Sequence, residues 1–454
     1  MSSEQLTVYD WKRYPETARF IDERIDVFCQ KSADIQQFAH DLQARTGTRL
    51  RDWVDHLEVE WSDALASELV ELGYEPVMDA DRPLYHHPAA MFPAVKAAAS
   101  AVERLFVRVD SVADFLLVHQ RDMDTSIEGD VGSAVRQRIA FAGEGVELHV
   151  IERHGCPVTC TTPPVTPDLK KLAAHAEALR LRKRDFAEAS AGFAHAASLI
   201  KSSIADLGVN RTCDLFFAGE RDYWQQRNLA ARIQKARQDA MGMGWANHDH
   251  HTYRSSRKHF QSLIGIFELL GFQLRERFYA GKEAGWGAQV IEQPHARITI
   301  FADVDLSAEE VSQDFAHEAF QQRNELGTVG LWCRLHGEAF LQAGMHHLEC
   351  QFDFDAARNQ LAEEGDVKTM KPFTDLPHLR QAFTAGEIWP VQESRIQSLL
   401  NDGLISAEEA DKFREKGAIG SHLEILQREE GFKGFNQTGI NDIILETNPL
   451  KQQA

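Results

Sequence analysis

The chain has 454 residues, with 49 Lys and Arg against 69 Asp and Glu, for a formal charge of -20. Such a surface repels phosphate backbones and anionic lipid, and no long basic run offsets it, so nucleic acid and membrane surfaces are excluded as expected partners. At roughly 150 residues per domain the length allows two or three units, and 43% hydrophobic and 26% charged residues place the chain among globular proteins.

Apolar runs such as the one around Leu263 to Leu270 fall far short of the roughly 20 residues that span a bilayer. The start Met1-Ser-Ser-Glu-Gln lacks a basic and apolar signal sequence, so a cytoplasmic location is the expectation. The six cysteines are few for the length and suit reduced thiols. Cys156 and Cys160 form a C-x3-C pair beside His154, but no further ligand at zinc-site spacing accompanies them.

Taken in chain order, Trp53-Val-Asp-His-Leu-Glu-Val reads as a strand, followed by the helical Ala64-Leu-Ala-Ser-Glu-Leu-Val-Glu-Leu-Gly-Tyr. Leu148-His-Val-Ile-Glu-Arg reads as another strand. Pro163, Pro164 and Pro167 then punctuate the chain, and an Ala-, Lys-, Arg- and Glu-rich stretch with apolar residues at helical spacing runs from about 165 to 240. We therefore expect three parts: 1–164, a helical connector over 165–240, and 241–454.

The third part repeats the pattern of the first. His248-Asp-His-His-Thr-Tyr-Arg reads as a strand before the helical Phe260-Gln-Ser-Leu-Ile-Gly-Ile-Phe-Glu-Leu-Leu-Gly-Phe, and Leu423-Glu-Ile-Leu-Gln-Arg can be laid over Leu148-His-Val-Ile-Glu-Arg without a gap. On that overlay His56 matches His250, His149 matches Glu424, and Glu60 matches Arg254. Arg104-Leu-Phe-Val-Arg-Val-Asp offers no counterpart to a second histidine, so the first copy is expected to be degenerate.

Strand alternation puts His250, Thr252 and Arg254 on one face. Met345-His346-His347-Leu348-Glu349 is a second strand, with His347 and Glu349 on one side and His346 on the other; which histidine points inward is open. Ser421 to Arg428 is a third strand, with His422, Glu424 and Leu426 opposite Leu423 and Ile425. A glutamate between Leu and Ile is costly to bury without a cation or donors. Gly431-Phe-Lys-Gly-Phe-Asn-Gln-Thr-Gly follows as a loop suited to closing over a pocket.

Two neutral imidazoles and one carboxylate on converging strands make a facial triad with open positions, the pattern of non-haem Fe(II) oxygenases. His250, His347 and Glu424 are the expected metal ligands. Zinc, with hydrolytic or lyase chemistry, is the competing reading.

These three strands, in their order and spacing over about residues 245 to 445, resemble the 2-oxoadipate dioxygenase/decarboxylase (hydroxyglutarate synthase) family of the vicinal oxygen chelate superfamily. The resemblance rests on Asp249-His-His-Thr-Tyr-Arg254, His346-His347-Leu and Leu423-Glu-Ile-Leu-Gln-Arg428. It implies an α+β fold of paired βαβββ modules forming an open barrel around a metal, with Fe(II) as cofactor. It also implies a 2-oxo acid substrate, O2, loss of CO2 and a 2-hydroxy acid product.

The resemblance further implies that Arg254 holds a substrate carboxylate, with Thr252 and Arg428 as further substrate contacts and Gln427 beside Arg254 in the catalytic set; Gln427 and Arg428 are also candidates to support the metal ligands from behind. The planar, always charged guanidinium of Arg254 suits a carboxylate bidentately. After His347 the chain continues Leu-Glu-Cys-Gln where Leu-Thr-Pro-Arg is expected in one close branch, so contacts near Glu349 and Gln351 differ. Alternatives are a ring-cleaving dioxygenase or glyoxalase-like isomerase or lyase of the same superfamily, or a small-molecule-binding protein that has kept the fold without catalysis.

Overall fold

A computed structural model describes residues 10–121, 126–161, 165–321, 323 and 325–436. The start of the chain, the expected boundary near residue 164 and the end of the Gly-rich loop lie outside the described residues.

Strand β1 (Val54–Val59), the helix Asp63–Glu71, β2 (Glu75–Pro76), β3 (Leu84–His86) and β4 (Ala94–Ala97) form a βαβββ unit in which β1 runs parallel to β4. Ser62 starts the helix by accepting from Leu65 N at 3.1 Å, which satisfies one of the free N–H groups of the first turn. β5 (Glu103–Arg108), the helix Val112–Val118, β6 (Val135–Ala142) and β7 (Val146–Arg153) repeat the unit in shortened form. There the bridge between Glu128 and Gln137 stands in for a strand. Antiparallel pairing of β1 with β5 joins the two units into a seven-stranded sheet, β2-β3-β4-β1-β5-β7-β6.

The same plan recurs later in the chain. β8 (His248–Arg254), the helix Phe260–Leu269, β9 (Gln273–Tyr279), β10 (Trp286–Gln293) and β11 (Ile298–Asp305) make a third unit, with β8 parallel to β11. β12 (His347–Gln351), the helix Phe354–Gly365, β13 (Thr374–Leu376), β14 (Leu379–Phe383), β15 (Glu387–Trp389) and β16 (Ala418–Arg428) make a fourth, with β12 parallel to β16. Between β15 and β16 two helices, Glu393–Asn401 and Ala407–Lys416, pack a small core with Leu331 and Leu335.

β8 and β12 pair antiparallel, giving the order β13-β14-β16-β12-β8-β11-β10-β9 with β15 on β16. The fold is therefore α+β, built of βαβββ modules in two pairs. The second sheet is open, since β9 and β13 are its unpaired ends among the described residues. No helix among them is long and apolar enough to cross a membrane.

Four helices, Leu169–Arg180, Ala189–Leu207, Val209–Gln225 and Leu229–Asp239, fill the expected connector. They share a core with the second sheet: Phe193, Phe216, Phe217 and Trp224 are buried with Tyr253, Phe267, Leu348 and Leu423. One face of that sheet is thus sealed by helices, and its polar side chains crowd the other face. Strand β16 passes under the indole of Trp389 at Gly420, where a Cβ would lie 1.9 Å from the ring, so only glycine fits.

Candidate metal centre

Strand register assembles the site. β8 pairs with β12 so that Thr252 faces His347 and His250 faces Glu349. β12 pairs with β16 so that Glu349 faces Glu424, and β16 with β14 so that Phe383 faces Glu424 and Gln381 faces Leu426. β11 adds Phe301 beside Thr252 and Asp303 beside Arg254. Cross-strand partners share a face, so five strands direct these side chains into one concavity.

His347 Nε2 lies 3.0 Å from Glu424 Oε2, and His250 Nε2 lies 3.8 Å from the same oxygen. One ligand atom from each of His250, His347 and Glu424 lies within 4.8 Å of the others. Adjacent ligands about 2.1 Å from one ion stand roughly 3 Å apart, so small adjustments suffice for this set to close on a cation. All three residues are buried.

The protonation pattern suits a metal. Burial, and then the charge of Arg254, lowers His347 to about 3, and burial also lowers His250 against the opposing pull of Asp249 and Glu424. Both imidazoles are neutral and keep a lone pair. Burial pushes Glu424 up to about 7, and a cation held here would favour its charged form.

The surrounding groups set tautomers. Asp249 Oδ1 stands 3.4 Å from His250 Nδ1, and Glu349 Oε2 also lies against that nitrogen, so Nδ1 carries the proton and Nε2 faces Glu424. Arg428 grips Asp249 with Nε and Nη2, both at 3.0 Å. His346 Nδ1 and His347 Nδ1 are 2.9 Å apart, and Thr252 Oγ1 is 2.8 Å from His347 Nε2. Gln381 Nε2 donates to Glu349 Oε1 and Glu424 Oε1, each at 3.1 Å.

The cavity in front of the triad encloses about 80 Å³, room for several waters or a small acid at roughly 10–15 Å³ per water. Its walls include Phe278, Trp286, Phe301, Phe373, Phe383 and Phe435. Arg254 is the cation that lines it. The guanidinium is buried, its Nε and Nη1 have no hydrogen-bond partner, and its nearest carboxylate, Asp303, is 3.9 Å away. Burial raises Asp303 to about 8 despite that neighbour. An unbonded buried guanidinium beside a weakly paired acid is costly unless a ligand completes it.

Of the residues expected from sequence, His250, His347, Glu424, Thr252 and Arg254 come together. Two do not. Arg428 does not line the cavity: its guanidinium is taken up by Asp249 and by the carbonyls of Phe432 and Gly434, so it braces the ligand His250 through Asp249. Gln427 lies on the opposite strand face, where Oε1 accepts from Phe354 N and Nε2 donates to Glu429, both at 2.8 Å. Both adjacent histidines, His346 and His347, line the cavity.

Sequence reasoning gave no role to Glu349, Gln381, Asp303 or Asp249. For Glu349 a signal existed, since it alternates with His347 on one strand. Gln381 and Asp303 reach the site through pairing with distant segments and leave no local mark. The Cys156 and Cys160 pair, and His56 with His149, form no metal-holding group among the described residues.

No family model and no curated protein matches the chain. Among solved structures it is similar to a putative glyoxalase superfamily protein from Ralstonia eutropha JMP134, with 12% identity and a TM-score of 0.33 over 59% of this chain and 98% of that one. A 4-hydroxymandelate synthase mutant from Streptomyces coelicolor gives 12% identity and 0.29 over 89% and 100%. Methylmalonyl-CoA epimerase from Mycobacterium tuberculosis gives 13% and 0.23 over 40% and 88%. At such scores the chemistry of this site has to be read from its own side chains.

Proposed function

We propose that the protein is an Fe(II)-dependent dioxygenase that decarboxylates a small 2-oxo acid of the 2-oxoadipate kind and hydroxylates the shortened acid. The observation that carries this reading is the convergence of His250, His347 and Glu424 beside the unbonded guanidinium of Arg254 in one cavity. Two neutral imidazoles and one carboxylate are the donor set of a facial triad, which leaves positions for substrate and O2. The chemistry supplied by Fe(II), when bound, is Lewis acidity toward the oxo acid and the redox steps that O2 requires.

The protein's own residues do the rest. Arg254 takes a substrate carboxylate through its free N–H groups and fixes the acid against the triad. Thr252 is placed to hydrogen-bond the same molecule. Asp249 holds the His250 proton on Nδ1, and Arg428 holds Asp249. Gln381 steadies Glu424. The six aromatic walls keep water out and favour an acid with a hydrocarbon body. The overall change balances: 2-oxo acid plus O2 gives CO2 plus a 2-hydroxy acid one carbon shorter, with one oxygen atom in the new carboxylate and one in the hydroxyl.

Anaerobic loading with Fe(II), followed by oxygen uptake measured against a panel of 2-oxo acids that includes 2-oxoadipate, tests the reading. One O2 consumed and one CO2 released per acid is expected. No oxygen uptake, with full turnover of another substrate under Zn(II) or Ni(II), would overturn it.

A further inference from the structure

A second, larger cavity of about 520 Å³ lies between the two sheets, at the start of β8. His248 and Asp249 line it, while His250, next along the same strand, lines the metal cavity. The first sheet contributes Asp55 and Arg108, the β10–β11 turn contributes Arg297, and Pro157 to Thr159 close one side.

The charges lining this cavity are equal in number, Arg51, Arg108, Arg297 and Lys433 against Asp52, Asp55, Asp249 and Glu292, but they are unevenly shared, and Arg51 is taken up by Asp22 and Glu429. Asp52 is bonded by Arg49, Asp249 by Arg428, and Glu292 lies 3.2 Å from Lys433. Asp55, in contrast, is a single carboxylate under three guanidinium groups: Arg153 at 2.8 Å, Arg297 at 3.3 Å and Arg108 at 4.0 Å. His56 Nδ1 takes a further 2.8 Å contact on the same oxygen as Arg153. The other carboxylate that Arg108 feels, Asp214, is held by His154 at 3.1 Å.

The second sheet shows what a structural bracket alone requires. There Asp249, the register equivalent of Asp55, is held by one arginine, Arg428, and one neutral amide, Gln351 Nε2 at 3.1 Å. Arg108 occupies the Gln351 position in the first sheet, and Arg297 is added from outside it. Two positive charges are therefore present beyond the bracket, in a chain whose net charge is -20. Burial and then repulsion from Arg297 lower Arg108 to about 10, in keeping with a crowded cation.

Arg297 is also held at φ 56°, a left-handed conformation that costs a long side chain free energy, at the position that aims its guanidinium into the cavity. His248 Nδ1, buried without a hydrogen-bond partner, belongs to a residue lining the same cavity.

We propose that this cavity is a binding site for a small anion, a phosphorylated or carboxylated metabolite, clamped by Arg108 of the first sheet and Arg297 of the second. Two guanidinium forks that share one carboxylate oxygen are matched by an added phosphate or carboxylate group. The occupant would bridge the two sheets and rest against β8, and the site stands independently of the reaction proposed above.

Isothermal titration of the full-length, metal-loaded protein with inorganic phosphate and, separately, succinate tests it. Saturable 1:1 binding of either anion is expected, with phosphate alone or succinate alone identifying the class. The binding that survives in Arg254→Ala, where the metal cavity has lost its carboxylate anchor, falls at least tenfold when Arg108→Gln or Arg297→Gly is added. Glycine suits φ 56°, so Arg297→Gly removes the guanidinium while relieving the backbone, and an unchanged melting curve verifies its fold. Absence of saturable binding, unchanged affinity in both cavity variants, or loss of binding in Arg254→Ala alone would each overturn the proposal.

Discussion

In the first sheet Asp55, His56 and Arg153 repeat, position for position, the bracket that Asp249, His250 and Arg428 make in the second. In each, a carboxylate holds a histidine Nδ1 and is itself held by an arginine at the end of the last strand. The bulge that skips Asp55 in the pairing of β1 with β5 recurs at Asp249 in the pairing of β8 with β12. What differs is the ring of residues around the histidine. Arg104 stands where the second sheet has His347, His149 where it has Glu424, Phe106 where it has Glu349, and Glu58 where it has Thr252.

The consequences are physical. Arg104 bonds Glu58 at 3.1 Å and Glu147 at 3.0 Å, so the first sheet carries a permanent cation where the second has neutral imidazoles awaiting one. His56 stacks on Phe106 at 4.0 Å, and Phe106 contacts His149 at 4.9 Å, so the two histidines are kept apart by a hydrocarbon ring. A guanidinium cannot coordinate or exchange; it satisfies its carboxylates and stops. One pair of modules is closed by its own charge, and the other is left open for a ligand.

The largest expected effect separates the two sheets outright. His250→Ala or Glu424→Ala is expected to lower Fe(II) affinity by more than the roughly 10–100-fold typical of an outer partner, while His56→Ala leaves metal stoichiometry unchanged. Metal analysis of the purified variants checks this, and unchanged content in both His250→Ala and Glu424→Ala would refute the site. Next comes Arg254, whose counterpart in the first copy is Glu60. Arg254→Ala is expected to weaken substrate binding by roughly 2–5 kcal/mol, at least about 30-fold in KM, with melting temperature little changed. Arg254→Lys should recover only part, because an ammonium lacks the bidentate fork.

The pH dependence of metal binding is smaller. Glu424, raised to about 7, must lose its proton to act as a ligand, while His347, lowered to about 3, is already neutral. Affinity should therefore rise with pH up to about 7 and then level off, since binding below that value displaces one proton. A competition titration is expected to give about tenfold weaker binding at pH 6 than at pH 8. A flat profile would mean that Glu424 is not the ligand that titrates.

Much of this contrast could be read in the sequence, because both copies keep the same order of strand and helix and because alternation on a strand is a strict two-residue period. That period placed His250, Thr252 and Arg254 together, and it put His422, Glu424 and Leu426 opposite Leu423 and Ile425. The same parity counted against Gln427, which shares its face with Leu423 and caps a helix instead. Arg428 has the right parity, yet the buried charge of Asp249 claims it first. Gln381 and Asp303 were not legible, since their places depend on which distant strand lies alongside, whereas Phe435 belongs to the loop expected to close over a pocket and does line it. Register between distant strands is set by packing that no single segment encodes.

The smallest expected effect is also the sharpest test of why the sheets differ. If the first sheet is closed by Arg104 and Phe106 and not by its backbone, restoring the donors should restore some affinity. Arg104→His combined with His149→Glu recreates, with His56, the two imidazoles and one carboxylate of the second sheet. The two changes together take both Arg104 and His149 from Glu147, while Arg82 still bonds Glu58 at 2.6 Å. Uncompensated carboxylates add to the attraction for a divalent cation and lower stability without it. The double variant is therefore expected to melt lower than the parent when metal-free and to regain part of that loss with Co(II). A second, weaker equivalent of Co(II) should appear in titration, above that held by His250, His347 and Glu424. Adding Phe106→Glu, which supplies the counterpart of Glu349, should tighten it further. A triple variant that folds and still binds one equivalent would locate the difference in the backbone frame of the shortened second module, not in these side chains.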